Sequence, residues 1–173
     1  GTKFGLVDMD GKVLFHDKID TGLYREFDEY MDALSSKIKS SMEEKMSAYD
    51  LIGIGVGAPN GNYFTGTVSY APNLPWKGVL PIADTLTEKF GVPTVVSNDA
   101  NAAAVGEQVF GGAKGMKDFI MVTLGTGLGS GFVSNGQLII GNDALAGEMG
   151  HISVKYGRGR SCKCGKKGCL ETY

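Results

Sequence analysis

The stretch Thr94-Val95-Val96-Ser97-Asn98-Asp99-Ala100-Asn101 passes from a β-branched run directly into an alanine-rich segment. Valine and threonine favour strands, whereas alanine is the strongest helix former. The stretch therefore predicts a buried strand over 94–97 and a helix over 102–109. Asn98 and Asp99 then lie at the carboxyl end of a strand, which is where α/β folds place their ligands.

The chain upstream of this stretch repeats the alternation of strands and helices. The apolar run 51–56 predicts a buried strand that opens into loop 57–62, and residues 79–90 suit a helix. Two further patterns precede them, a strand pair typical of a β-hairpin at 3–7 and 13–19, and a long amphipathic helix over 27–42. This order predicts an α/β fold with a parallel sheet and right-handed crossovers.

The second half of the chain begins after a small, flexible segment, Gly111-Gly112-Ala113-Lys114-Gly115. Such a segment between two patterned regions predicts a boundary between a lobe of residues 1–113 and a lobe of residues 114–173. Three consecutive strands joined by glycine turns are predicted beyond it, at 119–123, 129–134 and 137–140.

Composition excludes several classes of protein. With 173 residues, 42% hydrophobic residues and a net charge of -2, the chain is typical of a globular protein, and it lacks the basic stripe of a nucleic-acid-binding domain. No apolar run is long enough to span a bilayer. We therefore expect a cytoplasmic protein that does not enter a membrane.

All three cysteines of the chain lie close to one of its two histidines. Cys162, Cys164 and Cys169, with His151 before them, form the donor set of a closed tetrahedral zinc site. Because four protein ligands leave no open position, such a zinc is structural. The alternatives are three unrelated thiols in a surface loop, or a disulfide that would leave one cysteine unpaired.

A glycine run at 124–131 follows a predicted strand. Glycines leave backbone N–H groups free to point at an anion, and Thr126 adds a hydroxyl donor. A tight β-hairpin needs the same residues, so the run alone does not decide between a phosphate loop and a structural turn. It is not a Walker A loop, and it opens a strand where a Rossmann fingerprint would open a helix.

Three carboxylates are candidates for the chemistry. Asp99 is placed to accept a proton beside the amides of Asn98 and Asn101, although an aspartate there could equally cap the following helix. Glu148 and Glu171 flank the cysteine segment, and paired carboxylates suit a polyol because each accepts two hydroxyl hydrogen bonds. Their alternative role is that of solvated acids near helix starts.

Taken in order along the chain, these motifs resemble the ROK family, the repressors, open reading frames and kinases of bacterial sugar metabolism. The residues that carry the resemblance are Gly1-Thr2, Ala71-Pro72-Asn73-Leu74, Ser97-Asn98-Asp99-Ala100-Asn101, Gly125 to Gly131, Glu148-x-Gly150-His151 and Cys162-x-Cys164-Gly165-x-x-Gly168-Cys169-x-Glu171. The likeness covers essentially the whole chain, and the cysteine motif is its most specific part.

The resemblance implies an actin-like ATPase fold of two ribonuclease-H-like lobes, the second incomplete here, that bind ATP and a sugar. It implies that Asp99 takes the proton of a hexose 6-hydroxyl, most simply glucose, in a glucokinase reaction supported by Mg²⁺. The sugar-binding set that it implies is Asn60, Asn98, Asp99, Glu148, His151 and Glu171, and the phosphate-binding set is Thr2, Gly125, Thr126 and Gly127. Dimerisation is a further expectation from the family.

Two departures from the family pattern bear on activity. The family's opening phosphate motif is Asp-x-Gly-Gly-Thr, of which Gly1-Thr2 are the last two residues, and the chain stops at Tyr173 where a helix is expected. We therefore expect a segment of a longer protein that is inactive by itself.

A sugar-responsive transcriptional regulator of the same family is the alternative function, and it requires an upstream helix-turn-helix to bind nucleic acid. The sequence does not decide which hexose or N-acetylhexosamine is preferred.

Overall fold

The computed structural model describes residues 1–46, 49–71 and 74–173, and for residues 44–46 it describes the backbone only. The chain forms two compact units, Gly1–Val96 and Ser97–Tyr173. The residues Pro72 and Asn73, which belong to one of the family-type motifs, lie outside the described part.

The described part of the first unit contains three small sheets and two α-helices. Its opening hairpin, predicted from the sequence, consists of β1 (Thr2–Val7) and β2 (Val13–Ile19), which pair antiparallel. The remaining elements are α1 (Phe27–Met46), β3 (Ile54–Gly57), β4 (Gly61–Asn62), β5 (Thr67–Ser69), β6 (Val79–Leu80), α2 (Ile82–Phe90) and β7 (Thr94–Ser97). Strand β3 pairs with β7, and β4, β5 and β6 form a three-stranded sheet in that order.

The predicted helix over 79–90 begins later than expected. Val79 and Leu80 form β6 and pair with β5, and the helix begins only at Ile82. Pro81 separates the two elements as the residue before the helix, and proline has no backbone N–H with which to continue a ladder of hydrogen bonds. The helix ends at Phe90, and the next residue, Gly91, has a φ of 69°, in the left-handed region that glycine adopts most readily.

An apolar core joins α1 and α2 to the strands of the first unit. Met31, Val68 and Val96 are at most 1% exposed, and the rings of Tyr30 and Trp76 lie 4.5 Å apart. A cavity of about 890 Å³ borders β1, β3 and the apolar side of α1. Its lining is mostly apolar core side chains, and Thr2 is among its few polar residues.

The second unit places one helix against an antiparallel sheet. It contains α3 (Asp99–Val109), β8 (Phe119–Leu124), β9 (Leu128–Ser134) and β10 (Gln137–Leu138), with β9 in the centre of the sheet. Two short 3₁₀ turns, Met149–His151 and Leu170–Thr172, follow. The division at residues 96 and 97 differs from the predicted lobe boundary at 113 and 114, because α3 packs against β8 and β9 of the second unit.

Among the described residues, no helix combines the length and the apolar character that crossing a bilayer requires.

Candidate functional site

Asp99 lies at the junction of β7 and α3, as the sequence predicted, but it is not the cap of the helix. The Asn98 side chain accepts hydrogen bonds from the backbone N–H groups of Ala100, at 2.8 Å, and Asn101, at 3.2 Å, which makes Asn98 the N-cap. Asp99 is the first residue of α3, and the helix therefore begins three residues earlier than predicted. The Asp99 side chain is exposed and accepts one hydrogen bond, from the backbone N–H of Ala100.

Asn101, which sequence reasoning grouped with Asp99, points into the protein interior. It is 3% exposed, and its side-chain oxygen has no hydrogen-bond partner among the described residues. This oxygen lies 3.4 Å from the position that a Cβ of Gly131 would occupy. Asn101 thus faces β9, and of the two asparagines only the half-buried Asn98 borders Asp99 at the surface.

The glycine run forms the tight hairpin that was one of its two interpretations. Gly125, Thr126 and Gly127 connect β8 to β9, with Leu124 paired to Leu128. The N–H of Gly125 donates to the carbonyl of Gly127 at 3.0 Å, so this amide is already used within the turn. Gly125 and Thr126 are exposed. The phosphate-binding role of these residues stays a prediction.

Two other glycines of the run are needed for helix packing, which sequence reasoning missed. A Cβ on Gly129 would lie 2.9 Å from the Ala100 Cβ, and a Cβ on Gly131 would lie 2.6 Å from the Ala104 Cβ. Both distances are shorter than real carbon contacts allow. The glycine loop consists of Gly125, Thr126 and Gly127, and β9 follows it. β9 therefore packs directly on the first turns of α3, the helix that begins with Asp99.

Cysteine and histidine side chains converge as predicted. The ligand atoms of His151, Cys162, Cys164 and Cys169 all lie within 4.8 Å of one another. Cys162 Sγ is 3.6 Å from His151 Nδ1, and Cys164 Sγ is 3.6 Å from Cys169 Sγ. Zinc–sulfur and zinc–nitrogen bonds at tetrahedral angles place such atoms about 3.5–3.8 Å apart, so the donor set fits zinc. The three cysteines are free thiols.

Backbone geometry holds this cluster in place. The N–H of Cys162 donates to the Lys166 carbonyl at 2.8 Å, and isolated bridges pair Ser153 with Cys169 and Ser161 with Lys167. Gly168 has φ of 79°, and a Cβ there would lie 1.9 Å from the Lys155 carbonyl oxygen. Only glycine fits this position, which explains its place directly before Cys169.

Glu171 links the cysteine cluster to the glycine loop. Cys162 Sγ donates to Glu171 Oε1 at 2.8 Å, and His151 Nδ1 lies 3.6 Å from the same oxygen. The other oxygen, Oε2, lies 2.8 Å from where a Cβ of Gly127 would be. Chiefly because its S–H donates to this carboxylate, the pKa of Cys162 is raised to about 12, whereas the backbone N–H of Lys166 lowers the pKa of Cys164.

Glu148 directly precedes the 3₁₀ turn Met149–His151, and its side chain is exposed. The Glu171 side chain is 19% exposed, and that of His151 is 33% exposed. The second unit therefore brings Asp99, the glycine loop, the cysteine cluster and both predicted sugar-binding glutamates into one compact body.

Thr2 and Asn60 belong to the first unit, and their side chains serve its fold. The hydroxyl groups of Thr2 and Tyr30 lie 2.7 Å apart and share a hydrogen bond, and burial raises the pKa of Tyr30. Asn60 has a left-handed φ of 55°, and its side-chain NH₂ donates to the carbonyl of Ser69 at 3.1 Å. Their predicted roles in binding phosphate and sugar stay predictions.

Comparison with known proteins adds a sequence match over the whole chain. The ROK family model matches residues 1–173. The chain is 42% identical over 145 residues to the glucokinase of Halalkalibacterium halodurans, an alignment that covers 80% of this chain and 44% of that protein. The chain spans about half the length of the curated relatives it matches.

Two solved structures match closely. The ROK family glucokinase from Streptomyces griseus, in complex with glucose and AMPPNP, matches 98% of this chain and 52% of its own, with a TM-score of 0.77 and 38% identity. A ROK family transcriptional regulator, a homologue of the E. coli MLC protein, matches 98% of this chain and 43% of its own, with a TM-score of 0.83 and 29% identity. The expected actin-like ATPase fold is thereby confirmed, and this chain covers part of it.

Proposed function

Because the chain belongs to the ROK family, we propose that it is the catalytic portion of a kinase that transfers the γ-phosphoryl group of ATP to the 6-hydroxyl of a hexose, with glucose as the substrate. The observation that supports the proposal most directly is the exposed carboxylate of Asp99. Asp99 is the first residue of α3, and α3 packs on β9, the strand that follows the glycine loop. The glucokinases among the relatives support a sugar kinase, and the structural neighbour with glucose and AMPPNP supports the two ligands.

In the proposed reaction, Asp99 accepts the proton of the 6-hydroxyl while that oxygen forms a bond to the γ-phosphorus. The bond between this phosphorus and the β,γ-bridging oxygen breaks, and ADP leaves with the electron pair. Mg²⁺ would supply compensation for the charge on the transferring group. The protein's own contribution is to hold the carboxylate and the donors of the glycine loop in fixed positions, because phosphoryl transfer depends on positioning and electrostatics.

For the sugar, we propose the set Asn60, Asn98, Asp99, Glu148, His151 and Glu171. His151 directs Nδ1 toward the thiol of Cys162, so Nε2 is the ring nitrogen that remains for a sugar hydroxyl. Glu171, which contacts the cysteine cluster, is the second carboxylate for hydroxyl groups. For the phosphates, we propose Thr126 and Gly127 together with Gly125 and Thr2.

The cluster of His151, Cys162, Cys164 and Cys169 is proposed to hold a structural zinc ion. Four protein donors complete a tetrahedron, so no step of the reaction passes through the metal. Its proposed role is to fix His151 and Glu171 beside the sugar, as ligands and their neighbours orient one another around a metal.

A second function is favoured by one observation. The chain also matches a ROK family transcriptional regulator over 98% of its length, with a TM-score of 0.83 and 29% identity. A regulator of this kind would use the sugar site for an effector and would need a separate DNA-binding region. A coupled kinase assay on the full-length protein, beside a DNA mobility-shift assay with and without sugar, distinguishes the two functions.

Replacing Asp99 by Ala in the full-length protein is expected to lower kcat by about 10²–10⁴-fold, because the proton of the 6-hydroxyl loses its acceptor. Glucose binding should stay measurable. The matched control is Asp84→Ala, which removes another aspartate from the first turn of a helix, α2, outside the proposed site. Turnover by Asp99→Ala at the rate of the control would contradict the proposed function.

A further inference from the structure

Ser130 is a buried residue of β9, the central strand of the second unit's sheet, and the proposed function gives it no role. It is 5% exposed and belongs to β9, three residues after the end of the glycine loop. Its hydroxyl donates to the carbonyl of Gly147 and accepts from the backbone N–H of Met149 at 3.0 Å. One side chain thus binds the backbone on both sides of Glu148.

The segment 147–150 lies directly on the same face of β9. A Cβ on Gly150 would lie 2.2 Å from the Leu128 carbonyl oxygen, and a Cβ on Gly147 would lie 3.1 Å from the Phe132 ring. Gly147 also has a left-handed φ of 85°. The two glycines allow the backbone to approach the strand closely enough for the Ser130 hydroxyl to reach it.

The opposite face of β9 carries the helix of Asp99. Successive residues of a strand point to opposite faces, and Gly129 and Gly131, which alternate with Ser130, are the residues that approach Ala100 and Ala104 of α3. β9 therefore contacts both α3, which begins with Asp99, and the segment 147–150, which contains Glu148. Asp99 is held on one face through α3, and Glu148 and His151 are held on the other through Ser130.

We propose that Ser130 is a positioning residue that sets Glu148 and His151 at a fixed distance from Asp99 and the glycine loop. This inference rests on the proposed function, because it assigns the effect to sugar binding. Ser130 does not itself touch the sugar. Its hydroxyl hydrogen-bonds the backbone on both sides of Glu148. The Met149 N–H also donates to the Gly147 carbonyl at 2.8 Å, so loss of the hydroxyl removes one of two hydrogen bonds from each of these groups.

The test compares Ser130→Ala with Ser134→Ala in the full-length protein. Ser134 lies on the same strand and is exposed, and its hydroxyl donates to Asp118 at 2.8 Å. Calorimetry gives glucose affinity, steady-state kinetics give kcat and the KM for ATP, and metal analysis gives zinc content. Ser130→Ala should weaken glucose binding roughly tenfold, with kcat at saturating glucose, the KM for ATP and zinc content close to those of Ser134→Ala.

Hydrogen exchange at the Met149 amide supplies a readout that does not depend on the reaction. It should be faster in Ser130→Ala than in Ser134→Ala, and slow exchange should return in Ser130→Thr, which keeps the hydroxyl. Unchanged glucose affinity in Ser130→Ala would overturn the inference, as would an equal loss of glucose and ATP affinity, which would indicate general loosening. If the unsubstituted protein binds no sugar, the proposed function fails, and the exchange measurement still decides whether Ser130 holds the segment.

Discussion

The hydrogen bond between Thr2 and Tyr30 occupies a hydroxyl that the family resemblance assigns to phosphate binding. Tyr30 is 5% exposed, and its ring packs against Tyr24 and Trp76. A polar atom in such surroundings needs a partner, and Thr2 supplies it. For Thr2 to bind phosphate through its hydroxyl, this hydrogen bond has to be shared or given up.

The buried phenol predicts a stability that depends on pH. Burial raises the pKa of Tyr30 above its ordinary value of 10.0, so the folded state favours the neutral phenol. The contribution is complete below pH 10.0 and is lost as the pH rises through the raised value. Tyr30→Phe should therefore cost about 1 kcal/mol at neutral pH through the lost hydrogen bond, and the difference from the unsubstituted protein should shrink in alkaline solution.

Urea unfolding of the two proteins at pH 8 and pH 11 would measure this difference, with Tyr24→Phe as the control for removing a phenol from a partly buried ring. A constant difference between Tyr30→Phe and the unsubstituted protein at both pH values would show that the phenol does not titrate as its burial requires.

At the scale of single elements, the packing of α3 on β9 explains a sequence pattern that has two interpretations. Alternating glycines are typical both of free backbone that binds an anion and of a hairpin turn. The structure shows the hairpin at 125–127 and a separate packing requirement at Gly129 and Gly131. Phosphate binding by the exposed tip stays a prediction.

Two substitutions of glycine by alanine should have opposite effects on the free energy of unfolding. A Cβ on Gly131 would lie 2.6 Å from Ala104 Cβ and 3.1 Å from the Ala100 carbonyl oxygen, so Gly131→Ala should destabilise by about 1–3 kcal/mol. Gly106 lies inside α3, and a Cβ there has nothing within 4 Å. Gly106→Ala should stabilise by about 0.5–1 kcal/mol because alanine restricts the unfolded chain.

Urea denaturation of both variants is the measurement, and each serves as the control for the other. If Gly131→Ala proved as stable as the unsubstituted protein, α3 could not lie against β9 as described. If Gly106→Ala were destabilising, this position of α3 could not be open.

At the scale of the whole molecule, the proposed metal should stabilise one of the two compact units. All four donors lie in Ser97–Tyr173. A metal that binds only the folded state adds about 2.7 kcal/mol of stability when its free concentration is a hundred times its Kd. Removing it should therefore expose amides of the second unit to exchange and leave those of Gly1–Val96 protected.

The corresponding variant is Cys164→Ser in the full-length protein, which should lose stoichiometric zinc, lower the melting temperature of the second unit and weaken sugar binding. The control is unsubstituted protein stripped with a chelator, which should recover all three properties when zinc is added back, whereas Cys164→Ser should not. Normal sugar binding in metal-free protein would show that the cluster does not shape the sugar site.

Much of the fold was predictable because its signals are local. The opening hairpin, α1 and β7 follow from periodicity and turn residues close together in the chain. The start of α2 was predicted too early, since a two-residue strand that pairs with β5 carries no periodic pattern of its own. The start of α3 was predicted too late, because the first turn of the helix has Asp99 and Asn101 among its residues.

The sequence by itself determined the chemistry available to this protein. It showed three thiols and an imidazole at ligand spacing, a carboxylate at the end of a strand, and an order of motifs that identified the family. These are properties of residue type and spacing, which need no tertiary structure to be read.

Only the tertiary structure decided which groups contact or hydrogen-bond one another. It made Asn98 the helix cap and left the Asp99 side chain exposed, it directed Nδ1 of His151 toward Cys162, and it placed Ser130 between β9 and the segment of Glu148. The reason is physical: a hydroxyl, an amide or an imidazole has several possible partners, and the partner that it takes depends on atoms brought within about 3 Å by packing between segments distant in the chain.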